Sequence, residues 1–295
     1  MQKHRFRCFL NSKNTILNRI ILATALFFCS IISAHAQDNY SYVQQGEFGI
    51  TAGGAHYFGD LNPGAAVNRV KPALGLFFRK QFGNYIGVRL AGRFAQLGYS
   101  DTYSKNEFQK LRNLSFNTNI FEIALQGDFN FFKFLPNDPR YVFTPYVTLG
   151  VGLFNYDPYA YLKGEKVFLR PLGTEGQNVA STGRKPYGTT TFSIPFGVGV
   201  KYNLTEKFNI SFEVAHRFTG TDYIDDVSTT FVGISNFVPN SEAALLQDRS
   251  YEIDPNKPLG LPGRQRGFAK QKDQFTIAEI GISYNISSYR CPTAR

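Results

Sequence analysis

Apolar and polar residues alternate along this chain with a period of two. In "TFSIPFGVGVKYN", residues 191–203, Phe192, Ile194, Phe196, Val198, Val200 and Tyr202 fall on one side, and Thr191, Ser193, Gly197, Gly199, Lys201 and Asn203 on the other. Side chains of a β-strand point to opposite faces in this way. The same pattern recurs in "FNISFEVAHRF", 208–218, and in "FEIALQGDFNF", 121–131. Eight such segments are predicted, at about 46–58, 73–81, 85–98, 115–132, 141–157, 190–203, 208–220 and 273–289. Their connections alternate in length. "FGN", "KFLPNDPR" and "LTEK" are short, whereas 59–72, 99–114, 158–189 and 221–272 are long. This layout predicts an all-β fold, an eight-stranded antiparallel up-and-down transmembrane β-barrel with four long extracellular loops. An even strand number places both ends of the barrel at the short-turn, periplasmic side.

A soluble lipocalin-like barrel or a sandwich also alternates, but with its apolar face inward. Here one face of the segments carries Arg79, Arg89, Arg93, Lys201 and Arg217 together with Glu47, Glu122, Asp128, Glu213 and Glu279. Gly75, Gly87, Gly150, Gly152, Gly197, Gly199 and Gly281 share that face. Small residues beside large charged ones suit the crowded interior of a narrow barrel. The opposite face is nearly all Phe, Ile, Leu, Val and Tyr, as lipid requires. The charged interior predicts a plugged barrel rather than a channel, its charges pairing across the lumen.

The N-terminus agrees with export. Residues 1–19 carry Lys3, Arg5, Arg7, Lys13 and Arg19 and no acid; an apolar run over 20–32 and the small-x-small site Ala34-His35-Ala36 follow. This is the layout of a secretory signal peptide over 1–36, cleaved before Gln37. Phe27 and Phe28 precede Cys29, where a lipoprotein signal wants small residues. The expected organisation is a 1–36 leader, a short periplasmic segment 37–45, and a barrel with its tail over 46–295. Removing the leader takes five of 32 basic residues and none of 22 acids, so the net charge falls from +10 to +5. That modest charge, with no basic run interleaved with aromatics, argues against nucleic acid as a partner. Cys291 becomes the only cysteine, so no intrachain disulfide can form. It lies beyond Tyr289, where the last strand should emerge into an oxidising compartment. Both an unpaired thiol without a role and a covalent link to a partner or lipid anchor stay open.

Candidate chemistry is sparse. In "GITAGGAHYFGDL", 49–61, Gly54 and Gly59 have the spacing of a nucleotide-binding loop, but Asp60 and Leu61 stand where it needs Lys and Ser or Thr. The stretch reads instead as the first strand and the turn after it. His56 and His216 are the histidines left after the leader; alternation puts both on the lipid face near the long-loop ends, as interfacial residues rather than general bases. Asp222, Asp225 and Asp226 cluster at the start of the last loop. Calcium takes several oxygen ligands, yet the spacing is not that of an EF-hand, and a solvated acidic turn is the expected reading. "SEAALLQ", 241–247, predicts a helical stretch inside that loop. No catalytic, cofactor or metal residues are assigned, and no small-molecule substrate is identified.

Several stretches resemble a known family. "GEFGITAGGAHYFGDLNP" at the start of the barrel, "HRFTGTDYIDDVST" at 216–229, "LLQDRS" at 245–250 and the terminal "SYRCP" are similar to the PorG-like outer-membrane β-barrels of the Bacteroidetes type IX secretion system. The resemblance runs over most of 46–292. It implies an outer-membrane barrel, set among outer-membrane lipids beside the protein-transport machinery. Its implied partners are a periplasmic ring lipoprotein and that lipoprotein's partner subunit. It implies no catalytic residues. The chain departs from general barrel practice at its end, where Tyr289 is followed by "RCPTAR" instead of closing on an aromatic residue. The alternatives are a surface adhesin or receptor working through the long loops, and an outer-membrane lipid-modifying enzyme.

Overall fold

The computed structural model describes residues 42–289 apart from residue 137. The signal peptide, the cleavage site before Gln37 and Cys291 lie outside the described residues. The strands are β1 (Tyr42–Phe58), β2 (Lys71–Phe82), β3 (Ile86–Ser100), β4 (Ser115–Asn130), β5 (Phe143–Asn155), β6 (Tyr159–Leu162), β7 (Glu165–Phe168), β8 (Thr190–Asn203), β9 (Phe208–Thr219) and β10 (Gln274–Tyr289). Two short helices, α1 (Glu107–Arg112) and α2 (Glu242–Gln247), lie in the long connections. All ladders are antiparallel, running β3-β2-β1-β10-β9-β8-β5-β4, and β3 pairs with β4 to close the ring. Eight strands therefore form a barrel without a free edge, which removes the unpaired backbone groups that lipid cannot satisfy. β6 and β7 are a hairpin outside the ring, attached to β4 through Tyr159 and Asn117.

The eight expected segments are the eight barrel strands. β1 begins sooner than expected, at Tyr42, so part of the 37–45 segment belongs to the wall. The β6–β7 hairpin and α1 were not expected. α2 was, and Ser241 caps it by accepting from the Ala244 amide.

The barrel is inverted relative to a soluble one. Ile123, Val151, Ile50 and Leu153 are 68%, 64%, 62% and 62% exposed on the outer wall. An exterior this continuously apolar has lipid as its solvent. Exposed Phe82, Tyr85, Phe129, Phe131, Tyr202, Phe208 and Tyr284 ring the short-turn end, as aromatic girdles do at a membrane interface. Inside, paired charges run from the short-turn end through the middle of the lumen, as far as Arg217 opposite Phe275. Towards the long loops the inward side chains become apolar, with Ala55, Tyr57, Phe116, Phe154, Phe275 and Ile277 joined to Leu61, Ile224, Val227 and Leu246 of the loops in one buried cluster.

Candidate functional site: a sealed lumen beneath an ordered cap

The ten charged residues expected on the inner face are all buried. They meet there because every second residue of each strand points inward, and the ladders set them at matching heights. Arg79 bridges Glu47 and Asp128, each at 2.5 Å. Arg89 pairs with Glu213 at 2.7 Å, Arg93 with Glu279 at 2.9 Å, Arg217 with Glu122 at 3.4 Å and Lys201 with Glu47 at 3.5 Å. Neutral donors add to the shell: Ser283 and Asn209 donate to Glu47 at 2.6 and 2.8 Å, and Tyr146 donates to Glu213 at 2.8 Å. Such networks offset the desolvation of each charge only when opposite charges and extra hydrogen bonds are both present. Aromatic side chains fill what remains, and glycines make the room. A Cβ on Gly199 would stand 2.6 Å from the Tyr146 ring, and one on Gly49 would stand 2.5 Å from Phe77.

Above the lumen the four long connections are knitted together. Arg112, on α1, holds Asp101 at 2.7 Å, donates to the Asp60 carbonyl of the first long connection at 3.2 Å, and donates to the Arg266 carbonyl of the last. Arg266 in turn pairs with Glu175 of the third at 3.2 Å and with Asp226 at 3.6 Å. Glu175 is fully buried and accepts from the Ser228 amide at 2.9 Å, the Thr229 amide at 3.0 Å and the Thr229 hydroxyl at 2.6 Å. Tyr57, at the top of β1, donates its hydroxyl towards Asp225 at 2.6 Å and Asp273 at 2.8 Å.

The structure corrects the reading of Asp222, Asp225 and Asp226 as a solvated turn. They are 2%, 2% and 0% exposed, and each faces a different partner. Asp222 accepts from the Ser228 hydroxyl at 2.6 Å, Asp225 from Tyr57 and the Val227 amide, and Asp226 from Thr174 and from Tyr187 at 2.6 Å. Among the described residues no group of three His, Cys, Asp or Glu side chains is arranged to hold a metal ion. Burial raises the Asp222 pKa to about 7 and the Asp226 pKa to about 6, the second despite Arg266. Burial likewise raises Asp60 to about 6, and Asp225 and Asp273 well above the usual carboxylate range. The chemical meaning of the cluster is a cap held by buried carboxyls that accept from hydroxyls and amides and, at Asp226, pair with an arginine.

His56 also differs from expectation. Its parity is outward, but the connection after β1 folds over it, leaving it 4% exposed with Nε2 2.7 Å from the Ala66 carbonyl oxygen. His216 is half-buried on the outer face, hydrogen-bonded to Thr276 and Gln274 at 2.8 and 2.7 Å and edge-on to Phe218. The two are not brought together on a shared polar group. Glu175, Arg266 and Arg112 were not singled out from the sequence. They sit in long connections where no period marks a side chain as buried.

These features define a closed eight-stranded transmembrane β-barrel with a filled lumen and a folded cap. Residues 21–238 match the family model described as "Domain of unknown function (DUF6089)", and the chain belongs to that family. No curated protein matches the sequence. Among solved structures it is similar to the N-terminal β-barrel domain of Pseudomonas aeruginosa OprF, with 11% identity over 83% of this chain and 100% of that one and a TM-score of 0.35. It is similar to Neisserial surface protein A at 9% identity, over 84% and 98% of the two chains, with a TM-score of 0.39. It is also similar to Ail, the attachment invasion locus protein of Yersinia pestis, at 13% identity, over 82% and 99%, with a TM-score of 0.37. The fold assignment rests on the strand pairings themselves.

Proposed function

We propose that this protein is a non-enzymatic outer-membrane barrel serving as a structural or assembly component of a protein-secretion machine, of the type IX kind its sequence resembles. In this reading the short-turn end meets a periplasmic ring lipoprotein and its partner subunit. The observation that carries the proposal is the filled bore. Arg79, Arg89 and Arg93 with their carboxylates block the lumen, and the Arg112–Arg266–Glu175 links close the cap. A barrel of this size with its interior packed works through its ends and its lipid face. Affinity purification from membranes in mild detergent, with identification of the co-purifying proteins, tests it. Recovery of a periplasmic ring lipoprotein supports the proposal, and its reproducible absence from an otherwise intact preparation refutes it.

One observation favours a second reading, that of a surface adhesin or receptor. The cap is folded, and its last connection leaves Val238, Ile234 and Leu261 exposed at 74%, 61% and 53%. Apolar side chains held out on a folded connection suit a partner at the cell surface.

A further inference from the structure

Two cavities lie one above the other along the wall formed by β2, β3 and β4. The β2–β3 ladder stops at Ala73 and Ala95, whereas β3 stays paired with β4 as far as Ser100 and Ser115. A notch of about 440 Å³ opens there, at the long-loop end, lined by Arg69, Lys71, Ser100, Tyr103, Ser115 and Asn117 among others. The Arg69 guanidinium is exposed and rests 3.7 Å from the centroid of the Tyr103 ring; the Lys71 ammonium donates to Asn117. Among the described residues neither cation is paired with a carboxylate, unlike the buried cations of the lumen. Further down the same strands runs an apolar groove of about 790 Å³, walled by Leu74, Leu76, Phe94, Phe121, Ile123 and Leu153. Gly92 deepens it, since a Cβ there would meet nothing nearer than Leu76 Cδ1 at 3.9 Å.

We propose that notch and groove together bind one lipid of the adjoining leaflet, with a phosphate-bearing headgroup in the notch and acyl chains in the groove. Arg offers a planar fork and Lys a point charge to phosphate oxygens. Basic pockets at the edge of a membrane take up anionic headgroups in this manner. The Ser100 and Ser115 hydroxyls and the Asn117 amide supply neutral donors for the remaining headgroup oxygens. The order along the strands, cations towards the rim and apolar side chains towards the middle of the wall, matches the order of groups along a lipid. The inference rests on the transmembrane reading of the barrel and is independent of a role in secretion.

Native mass spectrometry of the full-length protein, purified from membranes in mild detergent, tests it. The probes are lipid A carrying both phosphates and the same lipid A with its phosphates removed. The phosphorylated form should be retained about tenfold better, the effect of one charge-assisted contact. Arg69→Gln combined with Lys71→Gln should erase the preference while the barrel still shows its heat-dependent gel shift. Arg69→Gln alone, at an exposed side chain, should reduce it. Equal retention of the two lipids, or a preference that survives the double substitution, overturns the assignment. Displacement of the lipid by equimolar inorganic phosphate also overturns it, because the groove would then contribute nothing.

Discussion

Arg79 and Arg89 stand directly opposite each other in the β2–β3 ladder, and both are buried in the lumen. Like charges so placed repel. On the β9–β10 ladder Glu213 and Glu279 are likewise opposite. Arg89 reaches across to Glu213, Arg93 to Glu279, and Arg79 finds Glu47 and Asp128. Arg79 meets Glu47 across the neighbouring β1–β2 ladder, whereas the Arg89–Glu213 and Arg93–Glu279 pairs join β3 to β9 and β10 across the lumen and form only when the ring closes.

Removing one member of this network should be costly. Glu213→Ala leaves Arg89 short of its nearest carboxylate and should lower stability by about 3–5 kcal/mol, the usual cost of stranding a buried charge. The readout is the urea midpoint of the protein refolded into vesicles. Lys257→Ala, which breaks an exposed pair with Asp254, should leave the midpoint where it is.

The packing of the lumen gives a steric prediction. Gly199→Val drives a side chain into Tyr146, and Tyr146 cannot yield without losing its bond to Glu213. Overpacking of this kind costs about 1–3 kcal/mol. Gly64→Ala, where nothing lies within 4 Å of the new Cβ, should be neutral. Heat-dependent gel shifts of the two variants, run side by side, measure the difference.

Cap stability should depend on pH, with a definite sign. Asp222 titrates near 7 and Asp60 and Asp226 near 6 in the folded protein, against about 3.9 for an unfolded Asp. The folded cap therefore binds more protons than the opened one between about pH 4 and 7. The stability they contribute is complete below the unfolded value and is lost as pH rises through 6 to 7. Hydrogen exchange in 220–273, corrected for intrinsic rates, should be slower at pH 5 than at pH 8. Asp222→Asn should flatten part of that slope; exchange that slows as pH rises would contradict the assignment.

The barrel was legible because alternation is a strong signal over strands of this length. The ten lumenal charges could be named from parity alone, and strand ends came within a few residues. The cap was not legible. Arg266 meets Glu175 across 91 positions of sequence, and no local period announces such a contact. Parity misled at His56, since it assigns a face but not what folds over that face. The β6–β7 hairpin turns on Lys163 and Gly164, both with positive φ, 52° and 89°, the backbone of a tight two-residue hairpin turn, and Gly164 was its one mark in the sequence. Its four-residue strands were too short to show alternation.

The filled lumen predicts electrical silence. Purified protein in planar bilayers should give no steady ion conductance. Large, stable, reproducible steps would mean that the Arg–carboxylate packing opens in a membrane.

In a secretion machine the protein works through its short-turn end. Photo-crosslinkers placed singly at Glu206, in the turn between β8 and β9, and at Val238, exposed in the last long connection, test it in whole cells. Glu206 should trap a periplasmic protein in a discrete adduct. Adducts formed from Val238 alone, with none from Glu206, would contradict it and favour the surface receptor.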